Sequence, residues 1–148
     1  MMTAHREVDI LLVDDNPGDV LLTKEALKGT QVPSRVSVAT DGVEAMQFLR
    51  RTGKFGDAPR PDLVFLDLNM PRKTGAEVLA EMKDDADLRV IPVVILTSSD
   101  ADDDVANAYR LHANCYVTKP ADLDQMIKAV QAIDNFWMAV VRLPPRFQ

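Results

Sequence analysis

DILLVDD (residues 9–15) is an unbroken apolar run that stops on two carboxylates, Asp14 and Asp15. Three further runs also end on a polar residue: DLVFLD (62–67) on Asp67, VVILT (93–97) on Thr97, and CYVTK (115–119) on Lys119. Runs of this length, rich in Val, Ile and Leu and flanked by helical patterns, read as strands of a parallel sheet buried on both faces. In an open α/β sheet, ligands bind outside the carboxyl ends of the strands, where the chain order reverses. The five polar groups are therefore expected to converge on one rim. Three carboxylates, a hydroxyl and an ammonium gathered there form a site for a divalent cation and a phosphoryl group.

Working outward from these runs gives five successive β-α units. The first strand is read as Val8–Val13, followed by Asn16 as N-cap, Pro17 at the first helical position and Asp19 in the first turn of a helix to Lys28. SRVSVA supplies a short strand at Arg35–Ala39, and Asp41 with Glu44 forms a capping-box pattern opening a helix to Arg51. RTGKFGDAPRP (51–61) is the longest loop, punctuated by Gly and Pro. The third strand is Leu63–Asp67, and Thr74 with Glu77 caps a helix through Asp84. Pro92 leads into Val93–Thr97, Asp100 is read as the N-cap of a helix to Leu111, Cys115–Val117 is the fifth strand, and a long helix fills Ala121–Val140. The expected fold is α/β: a five-stranded, doubly wound parallel sheet in the flavodoxin-like order 2-1-3-4-5, with five helices, the last extended.

Composition narrows the function. At 148 residues the chain has the size of one domain, which buries roughly 68–70% of its unfolded surface. Residues 1–5 are expected to be a flexible N-terminus, 6–135 the folded domain, and 136–148 an extension of the last helix with a tail. The net charge of −6, from 17 basic and 23 acidic residues, lacks the broad attraction that supports nucleic-acid or anionic-membrane binding. Cys115 is the single cysteine, so no internal disulfide can form. The opening MMTAHREVD has no apolar core of a signal peptide, and no run approaches a membrane span. A cytosolic protein is expected.

The chemistry follows from the ligand types. Asp14 and Asp15 cannot both face Asp67 in ionised form without a cation. Hard oxygens without a His or Cys cluster favour Mg²⁺ over Zn²⁺. One carboxylate then remains as a nucleophile toward phosphorus, with Thr97 as a hydrogen-bond donor and Lys119 as a compensating point charge. Singly, each residue has an ordinary explanation: an Asp at a strand end often caps the next helix. Asn16 and Thr74, however, supply those caps, which frees Asp15 and Asp67. Elsewhere the ordinary explanation stands. His112 and Cys115 are spaced H-x-x-C but lack partners for a closed zinc site. His5 lies in the N-terminal segment, and the seven Met read as core filler.

At these residues the sequence resembles the receiver domains of two-component response regulators. The matching segments are ILLVDDNPGD (10–19), ATDGVEAM (39–46), VFLDLNMPRKTGAEVL (64–79), VVILTSSD (93–100) and CYVTKP (115–120). The resemblance covers residues 6–135. It implies that Asp67 accepts phosphate from the phosphohistidine of a sensor histidine kinase. It also implies that Asp15, Asp67 and the backbone carbonyl of Asn69 ligate Mg²⁺, with Asp14 acting through water. Thr97 would be the switch hydroxyl, drawn in by the phosphoryl group to make room for Tyr116, and Lys119–Pro120 a cis bond. DDNPGDVLLTKEAL (14–27) and FWMAVVRLPP (136–145) are similar to stand-alone regulators paired with bacterial phytochromes, which implies a light-responsive kinase.

Other readings fit less well. A haloacid-dehalogenase-type phosphatase needs D-x-D, and here the pattern is Asp67-Leu68-Asn69. A flavodoxin-like flavin carrier needs a phosphate-cradling loop after the first strand, where this chain places acids. Neither P-loop nor dinucleotide glycine motifs are present. The residues leave open whether the phosphate is relayed to a downstream phosphotransfer protein or switches binding to a target. Phe136, Trp137, Met138, Val140, Val141 and Leu143 give the end of the chain high apolar density. At helical spacing Ile133, Trp137 and Val140 continue the inward face of Ile127 and Val130, while Phe136, Met138 and Val141 fall off it. A homodimer through the fourth helix, fifth strand and fifth helix is expected, with a folded monomer left on deletion of 136–148.

Overall fold

The computed structural model describes residues 7–28 and 33–145. The segment 1–5, read as a flexible N-terminus, and residues 146–148 of the tail lie outside the described residues. The elements are β1 (Val8–Val13), α1 (Pro17–Lys28), β2 (Ser34–Ala39), α2 (Gly42–Arg50), β3 (Leu63–Leu66), α3 (Gly75–Lys83), β4 (Val93–Thr97), α4 (Asp102–Arg110), β5 (Cys115–Thr118) and α5 (Leu123–Asn135). The five strands pair in parallel in the order β2-β1-β3-β4-β5, as expected from the sequence.

Strand alternation sorts the apolar side chains into two cores, because successive residues point to opposite faces. On one face Leu11 and Val13, Val64 and Leu66, and Val93 and Ile95 meet Met46 and Phe48 of α2, Leu79 and Met82 of α3, and Ala108 of α4. On the other, Ile10 and Leu12, Leu63 and Phe65, and Val94 and Leu96 meet Ala26 and Leu27 of α1 and Met126, Val130 and Ile133 of α5. The central strands are buried on both faces, which is why they read as continuous apolar runs. No described helix is long and apolar enough to cross a membrane.

Caps fix most helix starts where the sequence places them. The Asn16 Oδ1 accepts from the Asp19 N–H at 3.1 Å. Thr74 and Glu77 form a complete capping box. Asp41 Oδ1 accepts from the Glu44 N–H at 2.8 Å, while the Glu44 carboxylate reaches back one residue further, to the Thr40 N–H at 2.9 Å. Two starts differ. The cap position of α4 is Ala101, not Asp100, and has no side-chain cap. The loop is instead held by Ser99, whose hydroxyl donates to Asp104 at 2.5 Å, and Asp102, Asp103 and Asp104 complement the helix dipole. Helix α5 begins two residues later than expected, because Asp122 accepts from the Asp124 and Gln125 N–H groups at 2.8 and 3.2 Å.

The chain end corrects the inward-face assignment. After Asn135 the helix widens into a π-helical turn over Phe136–Val140, closed by the Val141 N–H donating to the Phe136 carbonyl at 2.8 Å. Each residue of the wider turn advances by a smaller rotation, which brings Met138 toward the face of Trp137 and carries Val140 away from it. Trp137, Met138 and Leu143 pack on the α1–α5 side, whereas Phe136 and Val140 are 52% and 69% exposed. Pro144 and Pro145 then lie beside Arg60–Asp62 and Val90–Pro92, at the amino ends of β3 and β4. Deleting 136–148 would strip part of the core, so it is not a clean route to a monomer.

Candidate functional site

Hydrogen-bond ladders continue one rung past the strands and set the backbone of each site residue. The Asp14 N–H donates to the Ala39 carbonyl at 3.0 Å, the Asp67 N–H to Val13 at 2.9 Å, and the Lys119 N–H to Thr97 at 2.6 Å. The three residues are thereby fixed as rigidly as the sheet. The side chains of Asp14, Asp15, Asp67, Thr97 and Lys119 meet at this rim, as the strand ends imply.

Lys119 is the centre. Its Nζ donates to Asp14 Oδ2 at 2.7 Å and to Asp19 Oδ2 and Asp67 Oδ2, both at 2.8 Å. Asp67 Oδ1 accepts from the Thr97 hydroxyl at 2.8 Å and from the Asn69 N–H at 3.1 Å, so both of its oxygens are held. Asp14 Oδ1 accepts from the Asn16 N–H at 2.9 Å. Asp14, Asp67 and Thr97 are buried, while Asp15 is exposed. Burial pushes the Asp14 carboxyl above its ordinary value, and the Lys119 and Asn16 hydrogen bonds only partly offset it. Burial alone would lower the Lys119 pKa, but the hydrogen bonds to Asp14, Asp19 and Asp67 outweigh it and hold the ammonium charged well above the usual lysine range.

Asp19 is the member that sequence reading missed. It reads as a first-turn helix acid, and its bond to a lysine 100 residues away leaves no local signal. Carboxylate oxygens of Asp14, Asp15 and Asp67 lie within 4.8 Å of one another and form the metal-ligand cluster found among the described residues. The donor set is all hard oxygen, with one exposed carboxylate open to solvent, which fits a hard divalent cation. His112 and Cys115 take no part in it.

The loop after Asp67 is packed against backbone at two glycines. A Cβ on Gly75 would lie 2.1 Å from the Asp67 carbonyl oxygen, and one on Gly42 2.2 Å from the Lys73 carbonyl oxygen. The Arg72 guanidinium, from a residue at φ 66°, donates to the Asp41 Oδ2, so one carboxylate both caps α2 and ties down this loop. Lys73 pairs with Glu81 of α3.

Thr97 and Tyr116, expected from the resemblance to act as a switch, both carry hydrogen bonds in this structure. The Thr97 hydroxyl already donates to the bare Asp67 carboxylate, since a buried hydroxyl takes the nearest acceptor. The Tyr116 hydroxyl donates to the Ser99 carbonyl at 2.8 Å, and its ring packs on the α2–α4 core. Burial raises the Tyr116 pKa, with the charges of Asp104, Asp100 and Asp67 adding to it against the Ser99 bond. The Lys119–Pro120 bond is trans, not cis, as are all described peptide bonds, in line with the ordinary preference of X-Pro bonds.

Residues 10–131 match the family model described as the response regulator receiver domain. The chain belongs to this family. Response regulator Rcp1 of Synechocystis sp. is 47% identical over 135 residues, covering 91% of this chain and 92% of the relative. The solved structure of the Mn²⁺-bound form of Rcp1 superposes with a TM-score of 0.90 at 46% identity, covering 93% of this chain and 99% of that one. The phosphorylated cyanobacterial phytochrome response regulator RcpA gives a TM-score of 0.92 at 47% identity, covering 95% and 100%. The bacteriophytochrome response regulator AtBRR gives 0.73 at 41% identity, covering 93% and 99%. This receiver therefore sits among regulators of two-component signalling.

The receiver's Gly75 contact yields a test. Gly75→Ala forces the Asp67 loop or α3 to shift, and overpacking of this kind costs about 1–3 kcal/mol. Urea unfolding should show that loss, together with weakened divalent-cation binding by calorimetry. Wild-type values for both would show that the contact is slack.

Proposed function

We propose that Asp67 is the phosphoacceptor of a response regulator that takes its phosphoryl group from a sensor histidine kinase. The observation that carries this reading is the setting of Asp67: buried at a strand end, with Thr97 and Asn69 donating to one oxygen and Lys119 to the other. A carboxylate oxygen of Asp67 attacks phosphorus, the O–P bond forms as the P–N bond of phosphohistidine breaks, and the imidazole leaves. Thr97 and Lys119 would hold the phosphoryl oxygens as the group passes from the imidazole nitrogen to Asp67. Asp15, Asp67 and the Asn69 carbonyl would ligate Mg²⁺, with Asp14 through water. Bound there, the ion would neutralise charge on the phosphoryl oxygens and later assist hydrolysis of the acyl phosphate. The protein thus catalyses only its own phosphorylation and dephosphorylation.

Output runs through Thr97 and Tyr116. Because Thr97 already binds Asp67, the change on phosphorylation is the transfer of its hydroxyl from a carboxylate to a phosphoryl oxygen, and a state is favoured only by such a difference in contact. The partner kinase is a bacterial phytochrome, in keeping with the similarity to RcpA and AtBRR, and the setting is cytoplasmic. Tyr109, Phe136 and Val140 are exposed apolar side chains on α4 and beyond α5, and they support a homodimer through the α4–β5–α5 face.

Incubation with acetyl phosphate and Mg²⁺ should add one phosphoryl group, detected by intact mass. Asp67→Asn should abolish it, and Asp15→Ala should weaken Mg²⁺ binding and phosphorylation together. Full labelling of Asp67→Asn would move the acceptor elsewhere. For the dimer, Phe136→Glu with Val140→Glu should sediment as a folded monomer where the wild type is a dimer, and a wild type monomeric in both phosphorylation states would contradict it.

A further inference from the structure

An ammonium has three N–H donors, and Lys119 directs all three at carboxylates, those of Asp14, Asp19 and Asp67. Asp19 differs from the other two. Its side chain is 33% exposed, against 2% for Asp14 and 8% for Asp67. Water can resolvate its charge, so it is the partner given up most cheaply when Lys119 turns to another anion. An acid in the first turn of α1 is explained in part by the helix dipole. That explanation does not require a lysine, and the cap itself is already supplied by Asn16. The 2.8 Å distance to Nζ is that of a charge-assisted hydrogen bond.

We propose that Asp19 is a positioning residue that sets the charge balance of the site. It holds the Lys119 ammonium at the rim, then releases one N–H to an incoming phosphoryl oxygen. The proposal rests on the reading of Asp67 as phosphoacceptor. Asp14, Asp15, Asp19 and Asp67 against one Lys119 leave three negative charges at the rim, and Asp19→Asn leaves two while keeping an acceptor oxygen for Lys119. A less negative site binds a divalent cation more weakly and a phosphoryl dianion more tightly. The two affinities therefore move in opposite directions, whereas a residue that only packs or caps would move both the same way.

The test uses the full chain with Asp19→Asn and Asp19→Glu, each first shown to fold by circular dichroism. Mg²⁺ alone is titrated by calorimetry, then beryllofluoride, a phosphoryl mimic, is titrated at saturating Mg²⁺. Asp19→Asn should weaken Mg²⁺ binding roughly three- to tenfold and tighten beryllofluoride by a similar factor, as expected for one charge removed several ångströms away. Asp19→Glu should return the Mg²⁺ affinity to within about twofold of wild type, as the charge is kept. Affinities that are unchanged, or that shift together, overturn the proposal, as does a Glu variant that behaves like Asn. A wild-type protein that binds Mg²⁺ but never beryllofluoride would instead overturn the phosphoacceptor reading.

Discussion

The Nζ of Lys119 lies within 2.8 Å of carboxylate oxygens from Asp14, Asp19 and Asp67, so one side chain from the end of β5 joins the ends of β1 and β3 and the first turn of α1. Strand order dictates which side chain can do this. β4 neighbours β3 and β5 lies one strand further out. A short hydroxyl therefore suffices at Thr97, while position 119 needs the long flexible stem of lysine. Two of its acids are buried, and buried charges persist only when paired. Remove the ammonium, and the rim is left with carboxylates that repel one another at close range.

Around that centre the backbone leaves little slack. Ladder hydrogen bonds carry the sheet's rigidity to Asp14, Asp67 and Lys119. Gly75 lets α3 touch the Asp67 carbonyl, Gly42 lets α2 touch the Lys73 carbonyl, and the Asp41–Arg72 pair joins the same two segments. Geometry held within fractions of an ångström is what phosphoryl transfer asks of a protein, because the chemistry depends on positioning and charge compensation. The exposed carboxylate of Asp15 is the exception, and it is the group a cation would meet first.

Much of this was legible in the chain because the signals are local. Apolar runs buried on both faces, Asn16 before Pro17, and Thr74 three residues before Glu77 each declare themselves within a few positions. The convergence of Asp15, Asp67, Thr97 and Lys119 then follows from the rule that parallel strands share a carboxyl edge. What was not legible depends on distant contacts or on a change of helical period. Asp19 looks like an ordinary first-turn acid until α1 is packed beside Lys119. Val140 belongs inward at α-helical spacing, and only the π-helical turn sends Met138 there instead. Asp100 looks like a cap until Ser99 engages Asp104. Nor does the chain show that the buried Thr97 hydroxyl takes Asp67 itself as its acceptor, a contact between residues thirty positions apart.

One ammonium compensates the acid rim until a divalent cation shares the task. The most direct test of this is urea unfolding of Lys119→Met, with and without saturating Mg²⁺, beside the wild type. Without metal the variant should lose about 3–5 kcal/mol, the usual cost of leaving a buried charge unpaired. Mg²⁺ should restore more stability to the variant than it adds to the wild type. A variant as stable as wild type without metal, and no more responsive to Mg²⁺, would show that Lys119 does not hold the rim together.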